Sequence, residues 1–411
     1  MKLSRAIARV NDGNLIVQIL FGVFVGIAFG FVFHAYPVDA ATTILELLGS
    51  LFVGALKAIA PIVVFVLICE SIATKEFTHN SSKGLRKIII LYFVGTFAAS
   101  ICAVIAWYIS PITLILQNRP EDLSIAPASI SKVLVNLVLK AVDNPVNALA
   151  SGNFIALIVW AVCFGIAFRH ATKSTKDVIT DISAAVSKVV KFVIRLAPIG
   201  IFGLVATSVI STGFAAISSY LKLVVVLVAC MLFVAFVINA IIVFLVTKKN
   251  PYPLIITCIK ESAVTAFFTR SSAANIPVNI ALAKKLNIDE SLYSVSIPLG
   301  ATVNMAGAAI TIAVLALAAA NTLNINVDFL TAVFLCFIAS IAACGASGVA
   351  GGSLMLVPLA CSLFGISNDI AMQVVAIGFI IGVIQDSFET ALNSSTDVLF
   401  TAAVWQSLEA K

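Results

Sequence analysis

The chain has 411 residues, of which 61% are hydrophobic and only 11% charged, and its mean hydropathy is +1.13. A soluble protein carries charge on roughly a quarter of its residues, so most of this surface is suited to lipid, and apolar runs that are continuous rather than alternating exclude a β-barrel. The net charge of +6 does not point to nucleic acid: the basic residues fall in short breaks between apolar runs, at Lys2–Arg9, Ser82–Lys87, Arg169–Lys176, Lys248–Lys249 and Lys284–Lys285, which is the positive-inside pattern of cytoplasmic loops.

The expected class is therefore an all-α, multi-pass membrane protein in a lipid bilayer. The basic N-terminus followed by an apolar run from Leu15 to Phe33 is too long for a cleaved signal and long enough to span. Further spans are expected near residues 43–73, 88–116, 150–168, 190–212 and 221–247. Between them, Gln117 to Gly152 is a mixed-polarity connection punctuated by proline and serine. It reads as an extended external loop with a short amphipathic piece. The eight cysteines lie singly in apolar surroundings and the three histidines form no cluster, so neither suggests a metal site.

The second half reads differently. Asn250 to Lys284 is bounded by basic pairs at both ends, which places both ends in the cytoplasm. About 30 residues is too short for two full crossings of about 20 each. A re-entrant hairpin resolves this, turning at the polar Ser271–Pro277; irregular backbone at membrane depth must be buried in protein or line a cavity. A second hairpin is expected from Asp328 to Asp369, with its tip at Cys344–Ser353. Between the hairpins, Gly300–Ala309 ("GATVNMAGAA") breaks a long span. The order hairpin, broken helix, hairpin, polar helix suggests inverted repeats that meet at the midplane, as in secondary transporters. The organisation expected is helices 1–2 in residues 1–73, helix 3 in 74–116, helices 4–6 in 117–247, hairpin 1 in 248–286, broken helix 7 in 287–326, hairpin 2 in 327–366 and polar helix 8 in 367–411.

The polar helix carries "DSFETALNSSTD", Asp386–Asp397. At about 100° per residue, Asp386, Glu389, Thr390, Asn393 and Asp397 share a sector of about 100°. Carboxylates at membrane depth cost on the order of 3 kcal/mol each and mark an ion or substrate path. From Ser291 to Ala410 there is no basic residue. Arg270 at the first hairpin tip is a plausible partner, but it cannot serve three acids. The rest of the compensation must come from a bound cation, a proton or a substrate ammonium. Asn304, Asn393 and Asp397 form a hard-oxygen set suited to an alkali ion, completed by backbone carbonyls at the Gly300–Asn304 break; transition metals are disfavoured.

Four motifs in this order, "TRSSAANIPV", "GATVNMAGAA", "GASGVAGG" and "DSFETALNSSTD", resemble the dicarboxylate/amino acid:cation symporter family, the glutamate-transporter fold. The resemblance covers the whole chain and is closest to the bacterial sodium-dependent serine/threonine transporter branch. It implies about eight transmembrane helices with two re-entrant hairpins, a scaffold and a mobile transport domain in each protomer, a homotrimer, and residence in the bacterial inner membrane with both termini cytoplasmic. It implies that Asp386 grips the substrate ammonium. Thr390, Asn393 and the backbone around Ser271, Ser272 and Val349 would serve the α-carboxylate, and Asn304, Asn393 and Asp397 would hold sodium.

Two departures from the family pattern carry information. Carriers of acidic amino acids have an arginine where this chain has Glu389, so a neutral substrate is expected, and a hydroxyl donor such as serine or threonine suits a carboxylate acceptor. The unwound motif reads Asn304–Ala308, "NMAGA", with Ala306 and Ala308 in place of an acidic ligand and a threonine. Gly95 likewise replaces a hydroxyl beside Tyr92 and Thr96. One sodium site is thus expected to be lost. The reading is a sodium-coupled symporter of small neutral amino acids and not an enzyme. A proton-coupled carrier of the same fold is the alternative, with Glu389 or Asp386 titrating. A hydrolase built on Ser271 or Ser272 lacks a base and a nucleophile turn, and hairpins on opposite sides favour alternating access over a channel.

Overall fold

A computed structural model describes residues 15–74, 83–116, 138–139, 141–346 and 351–409, and within them the protein is all helix, turn and loop. The chain opens with α1 (Leu15–Ala35), α2 (Asp39–Thr74) and α3 (Lys83–Ile109). After α3 most of the expected external connection, residues 117–137 and 140, lies outside the described residues. Its described part includes the short α4 (Pro145–Ser151), capped by Asn144, and α5 (Phe154–Phe168) follows. Then come α6 (Lys173–Arg195), α7 (Ala197–Thr212), α8 (Phe214–Phe233) and α9 (Asn239–Thr247), the last two joined through a wide π-turn at Val234–Ile238. Among the described residues six helices are long and apolar enough to cross a membrane, seven if α6 and α7 count as one bent span. This is a multi-pass membrane protein.

The span expected at 190–212 is corrected in one respect. The chain bends by 46° between α6 and α7, at Leu196, just before Pro198 enters the first turn of α7. Proline has no N–H to give and costs no backbone bond in the first turn of a helix. It thus ends one helix and starts the next.

Helix α1 lies on α7 through Gly22, Gly26 and Gly30. A Cβ at Gly22 would sit 2.5 Å from Pro198 O, and one at Gly30 would sit 2.5 Å from Val209 Cβ. Small residues four apart let two backbones touch where lipid gives no hydrophobic drive for helix pairing. Gly200 and Gly203 of α7 repeat the device against Phe52 and Leu45 of α2. Together α1, α2 and α7 form one tightly packed body.

The second half is built around buried helices. The first arm of hairpin 1 comprises α10 (Tyr252–Cys258), a π-turn at Ile259–Ala263 and α11 (Val264–Thr269), and the return arm is α12 (Ser272–Lys285). The arms are antiparallel: Lys285 pairs with Glu261, Ser262 Oγ donates to Asn279 Oδ1 at 2.5 Å and Asn275 Nδ2 donates to Ser262 Oγ at 3.0 Å. The turn falls at Arg270–Ser271, not across Ser271–Pro277. Arg270 takes the left-handed conformation (φ 51°), and Ser271 caps α12 by accepting Ala274 N at 3.2 Å. Pro277 therefore lies inside α12, past the N–H groups that a helix start leaves unbonded, so the helix runs on through it with one backbone bond missing.

Next, α13 (Glu290–Val303) and α14 (Ala306–Thr322) form the broken helix. The break is tighter than the Gly300–Ala309 expected: Gly300–Val303 stay helical, and only Asn304 (φ −88°, ψ 81°) and Met305 (φ −121°, ψ 49°) leave the helix. Then α15 (Phe329–Ala343), capped by Asp328, leads to the second tip, and Leu354–Leu356 with α16 (Val357–Leu363) return from it. Residues 347–350 of that tip lie outside the described residues. The chain closes on α17 (Asn368–Glu409).

Hairpin 1 packs on the C-terminal half of α17, where Asn275 Nδ2 donates to Ser394 Oγ at 2.9 Å and Leu282 and Ala283 share a core with Val398–Phe400 and Val404. The return from the second tip packs on the N-terminal half, where a Cβ at Gly378 would meet Leu354 Cδ2 at 2.5 Å. The two hairpins thus reach the same helix from opposite ends.

Candidate functional site

The site is centred on one side of α17, between the hairpin tips and the Asn304–Met305 break. Asp386, Glu389, Thr390, Asn393 and Asp397 are all at most 6% exposed, which excludes a solvated helix face. Arg270, at the tip of hairpin 1, reaches Asp386: its Nε donates to Oδ2 at 2.7 Å. Gly351 N, just past the tip of hairpin 2, lies 3.5 Å from Oδ1. Both tips therefore meet on one carboxylate. Arg270 is the one described cation bonded to any of the three acids, so among the described residues Glu389 and Asp397 have no cation bonded to them.

Glu389 is held by neutral donors. Thr311 Oγ1 of α14 (2.8 Å), Ser353 Oγ of hairpin 2 (2.9 Å) and Gln385 Nε2 (2.5 Å) converge on its Oε2. Gln385 also donates to Thr311 Oγ1 at 2.8 Å. These three partners were not read from the sequence. Gln385 was legible in principle, since it precedes Glu389 by four residues and so shares its face. Thr311 and Ser353 gave no signal, because each is a lone hydroxyl in an apolar or glycine-rich run.

Asn393 joins α17 to the break. Its Oδ1 accepts Gly307 N at 2.7 Å, serving one of the N–H groups that the first turn of α14 leaves without an intrahelical partner. Glycine is required at 307 because a Cβ would lie 2.9 Å from Glu389 Cα. Asn304 Nδ2 donates to Asp397 Oδ1 at 2.8 Å and to Asn393 O at 3.2 Å. Asn304 Oδ1 and Asp397 Oδ2 are both buried without any donor. Gly300 stands beside them, and a Cβ there would lie 2.5 Å from Asp397 Oδ1. Two orphaned, adjacent oxygen side chains, one of them acidic, fit a hard monovalent cation. Gly300 O already accepts Asn304 N at 2.9 Å, with a second lone pair to spare.

Behind this pair, Tyr92 of α3 donates its hydroxyl toward Ser296 O (3.1 Å) and Asp397 O (3.2 Å). Thr96 Oγ1 is buried without a partner. At Gly95 the space for a side chain is closed, since a Cβ would lie 2.8 Å from the Phe400 ring. Ala306 and Ala308 are buried and bring no oxygen from their side chains.

Of the other expected site residues, Ser272 is buried at the start of α12, Ser271 caps it and Thr390 is buried on α17. Val349 lies outside the described residues. Among the described residues no three His, Cys, Asp or Glu side chains group around a common point.

Comparison with known proteins identifies the family. The chain is 57% identical over 399 residues, 97% of either chain, to the serine/threonine transporter SstT of Campylobacter jejuni subsp. jejuni. Residues 15–407 match the sodium:dicarboxylate symporter family. A carrier rather than an enzyme, this chain belongs to the sodium:dicarboxylate symporter family.

Proposed function

We propose that the protein is a sodium-coupled importer of small neutral amino acids, serine and threonine foremost. The observation that carries the reading is the unpaired pair of Asn304 Oδ1 and Asp397 Oδ2, buried where α13 ends against α17, a helix that also carries Asp386 and Glu389, of which only Asp386 is bonded to an arginine. A sodium ion held by Asn304, Asp397 and the Gly300 carbonyl, with Asn393 fixing the break beside it, would lower the local charge and dehydrate at little cost, because the oxygens that replace its water stand ready. The substrate ammonium goes to Asp386, whose Oδ1 is only loosely engaged by Gly351. Its carboxylate is taken by Thr390, Asn393 and the backbone at Ser271, Ser272 and Val349, with Arg270 at the rim.

Glu389 supports the choice of substrate. Its charge opposes a second substrate carboxylate. With Oε2 committed to three donors, Oε1 is the oxygen that would accept a substrate hydroxyl. The similarity to a serine/threonine transporter agrees with this. A second sodium site that would need side-chain oxygens at 95, 306 and 308 is not proposed, since Gly95, Ala306 and Ala308 supply none and Phe400 fills the space beside Gly95.

Transport itself would be alternating access: hairpins 1 and 2, α3, α13–α14 and α17 move against a scaffold containing α1, α2 and α7, in a homotrimer of the bacterial inner membrane with cytoplasmic termini. The domain divisions given above stand as part of this reading. Serine binding by the purified protein, titrated in sodium and then in choline with aspartate as competitor, tests it. Binding that needs sodium and ignores aspartate is expected. Binding of equal strength in choline would instead favour the proton-coupled carrier.

A further inference from the structure

We infer that Glu389 is the tie that holds the second hairpin closed on the site, with Ser353 as its counterpart. Three elements meet at Glu389 Oε2: α17 through Gln385, α14 through Thr311 and hairpin 2 through Ser353. Ser353 stands two residues after Gly351, which turns the chain in the left-handed region at φ 74°. It is the first described residue of hairpin 2 beyond Gly351 whose side chain bonds to α17. The contact of Gly351 N with Asp386 spans 3.5 Å and is weak by comparison.

A hydroxyl donating to a carboxylate away from water is about twice as strong as a neutral pair. The bond is also sheltered, since Ser353 is 2% exposed and Glu389 5%. The other charged groups around it are Asp386 one turn before on α17, with Arg270 of hairpin 1 bonded to it, and Asp397 two turns on. None of them bonds to Glu389. Thr311 Oγ1 lies within reach of both Gly307 O (3.1 Å) and Glu389 Oε2 (2.8 Å). Its single proton serves one at a time, so Ser353 and Gln385 carry the steadier bonds.

This deepens the proposed carrier function, and it rests on that function for what closure accomplishes. A substrate with a short neutral side chain has no carboxylate with which to draw a hairpin inward. The protein supplies that carboxylate itself, as Glu389. One oxygen, Oε2, fastens the hairpin, and in the proposed site the other is left for the substrate hydroxyl. Glu389, Ser353 and Gln385 are in this respect positioning residues.

Hydrogen exchange of the backbone amides of residues 351–363, measured without substrate on the full-length protein in lipid nanodiscs, reads the tie directly. Ser353→Ala speeds exchange there by about tenfold or more and leaves α1 and α7 unchanged. In a Glu389→Gln background, where a neutral amide accepts more weakly, the Ser353→Ala increment shrinks to about twofold. Exchange at the unsubstituted rate in Ser353→Ala overturns the inference, and so does a full increment that persists in Glu389→Gln. Sodium-dependent serine binding by the unsubstituted protein is measured alongside. Its absence overturns the carrier reading while the exchange result still decides the tie.

Discussion

Arg270 Nε lies 2.7 Å from Asp386 Oδ2, joining the tip of the first hairpin to the middle of the last helix across 116 residues of sequence. This is a buried ion pair, with side-chain exposures of 13% and 4%. Its desolvation cost is large, and breaking one side is more damaging than replacing both. Because Gly351 of the second hairpin approaches the same carboxylate, Asp386 is the point where, in the proposed site, the substrate would compete with both hairpins.

Asp386→Asn removes the counter-charge of Arg270 and, in the proposed site, that of the substrate ammonium. Amino-acid binding is expected to fall below detection, and the protein to lose about 3–5 kcal/mol. Isothermal titration with serine, together with thermal unfolding, checks both. Binding within tenfold of the unsubstituted protein would remove Asp386 from the substrate site.

Glu389→Arg reverses the charge where the proposed site places the substrate side chain. Serine affinity is expected to fall by at least tenfold, and aspartate to become a competitor where it was none. Competition binding with labelled serine reads the change. Intact serine binding with aspartate still excluded would show that selectivity resides elsewhere.

Gly300→Ala places a methyl 2.5 Å from Asp397 Oδ1. The Asn304–Asp397 pair must shift, and the sodium concentration for half-maximal uptake is expected to rise about tenfold or more, with substrate affinity at saturating sodium changing less. A sodium titration of serine uptake checks it. An unchanged sodium dependence would place the ion away from Gly300.

Gly30→Leu forces a side chain against Val209 and the Ala206 carbonyl, which are 2.5 Å and 3.1 Å from where a Cβ would sit. Overpacking of this kind costs about 1–3 kcal/mol. The melting temperature should drop while the sodium dependence of any remaining uptake is unchanged. A shift in sodium affinity would contradict the separation of the α1–α2–α7 body from the site.

The acidic stripe was legible because helical periodicity places Asp386, Glu389, Asn393 and Asp397 together whatever surrounds them. The first hairpin was legible because Lys248–Lys249 and Lys284–Lys285 fix both ends on one side. What could not be read was where hydroxyls from other elements land. Thr311 and Ser353 come to Glu389 only when α14 and hairpin 2 are packed. The exact turn was missed for a local reason. Pro277 looks like a breaker, yet α12 continues through it with one backbone bond missing, and Arg270 adopts the left-handed turn that its side chain type does not advertise. The break was read across Gly300–Ala309, whereas only Asn304 and Met305 leave the helix, and Gly300 is needed for space beside Asp397 rather than for backbone freedom.

The most direct measurement is uptake of labelled serine into proteoliposomes containing the purified protein, with an inward sodium gradient and with choline in its place. The account predicts concentrative uptake that collapses when choline replaces sodium and that is lost in Asp397→Asn. Accumulation of serine to the same level without sodium, or undiminished in Asp397→Asn, would contradict it.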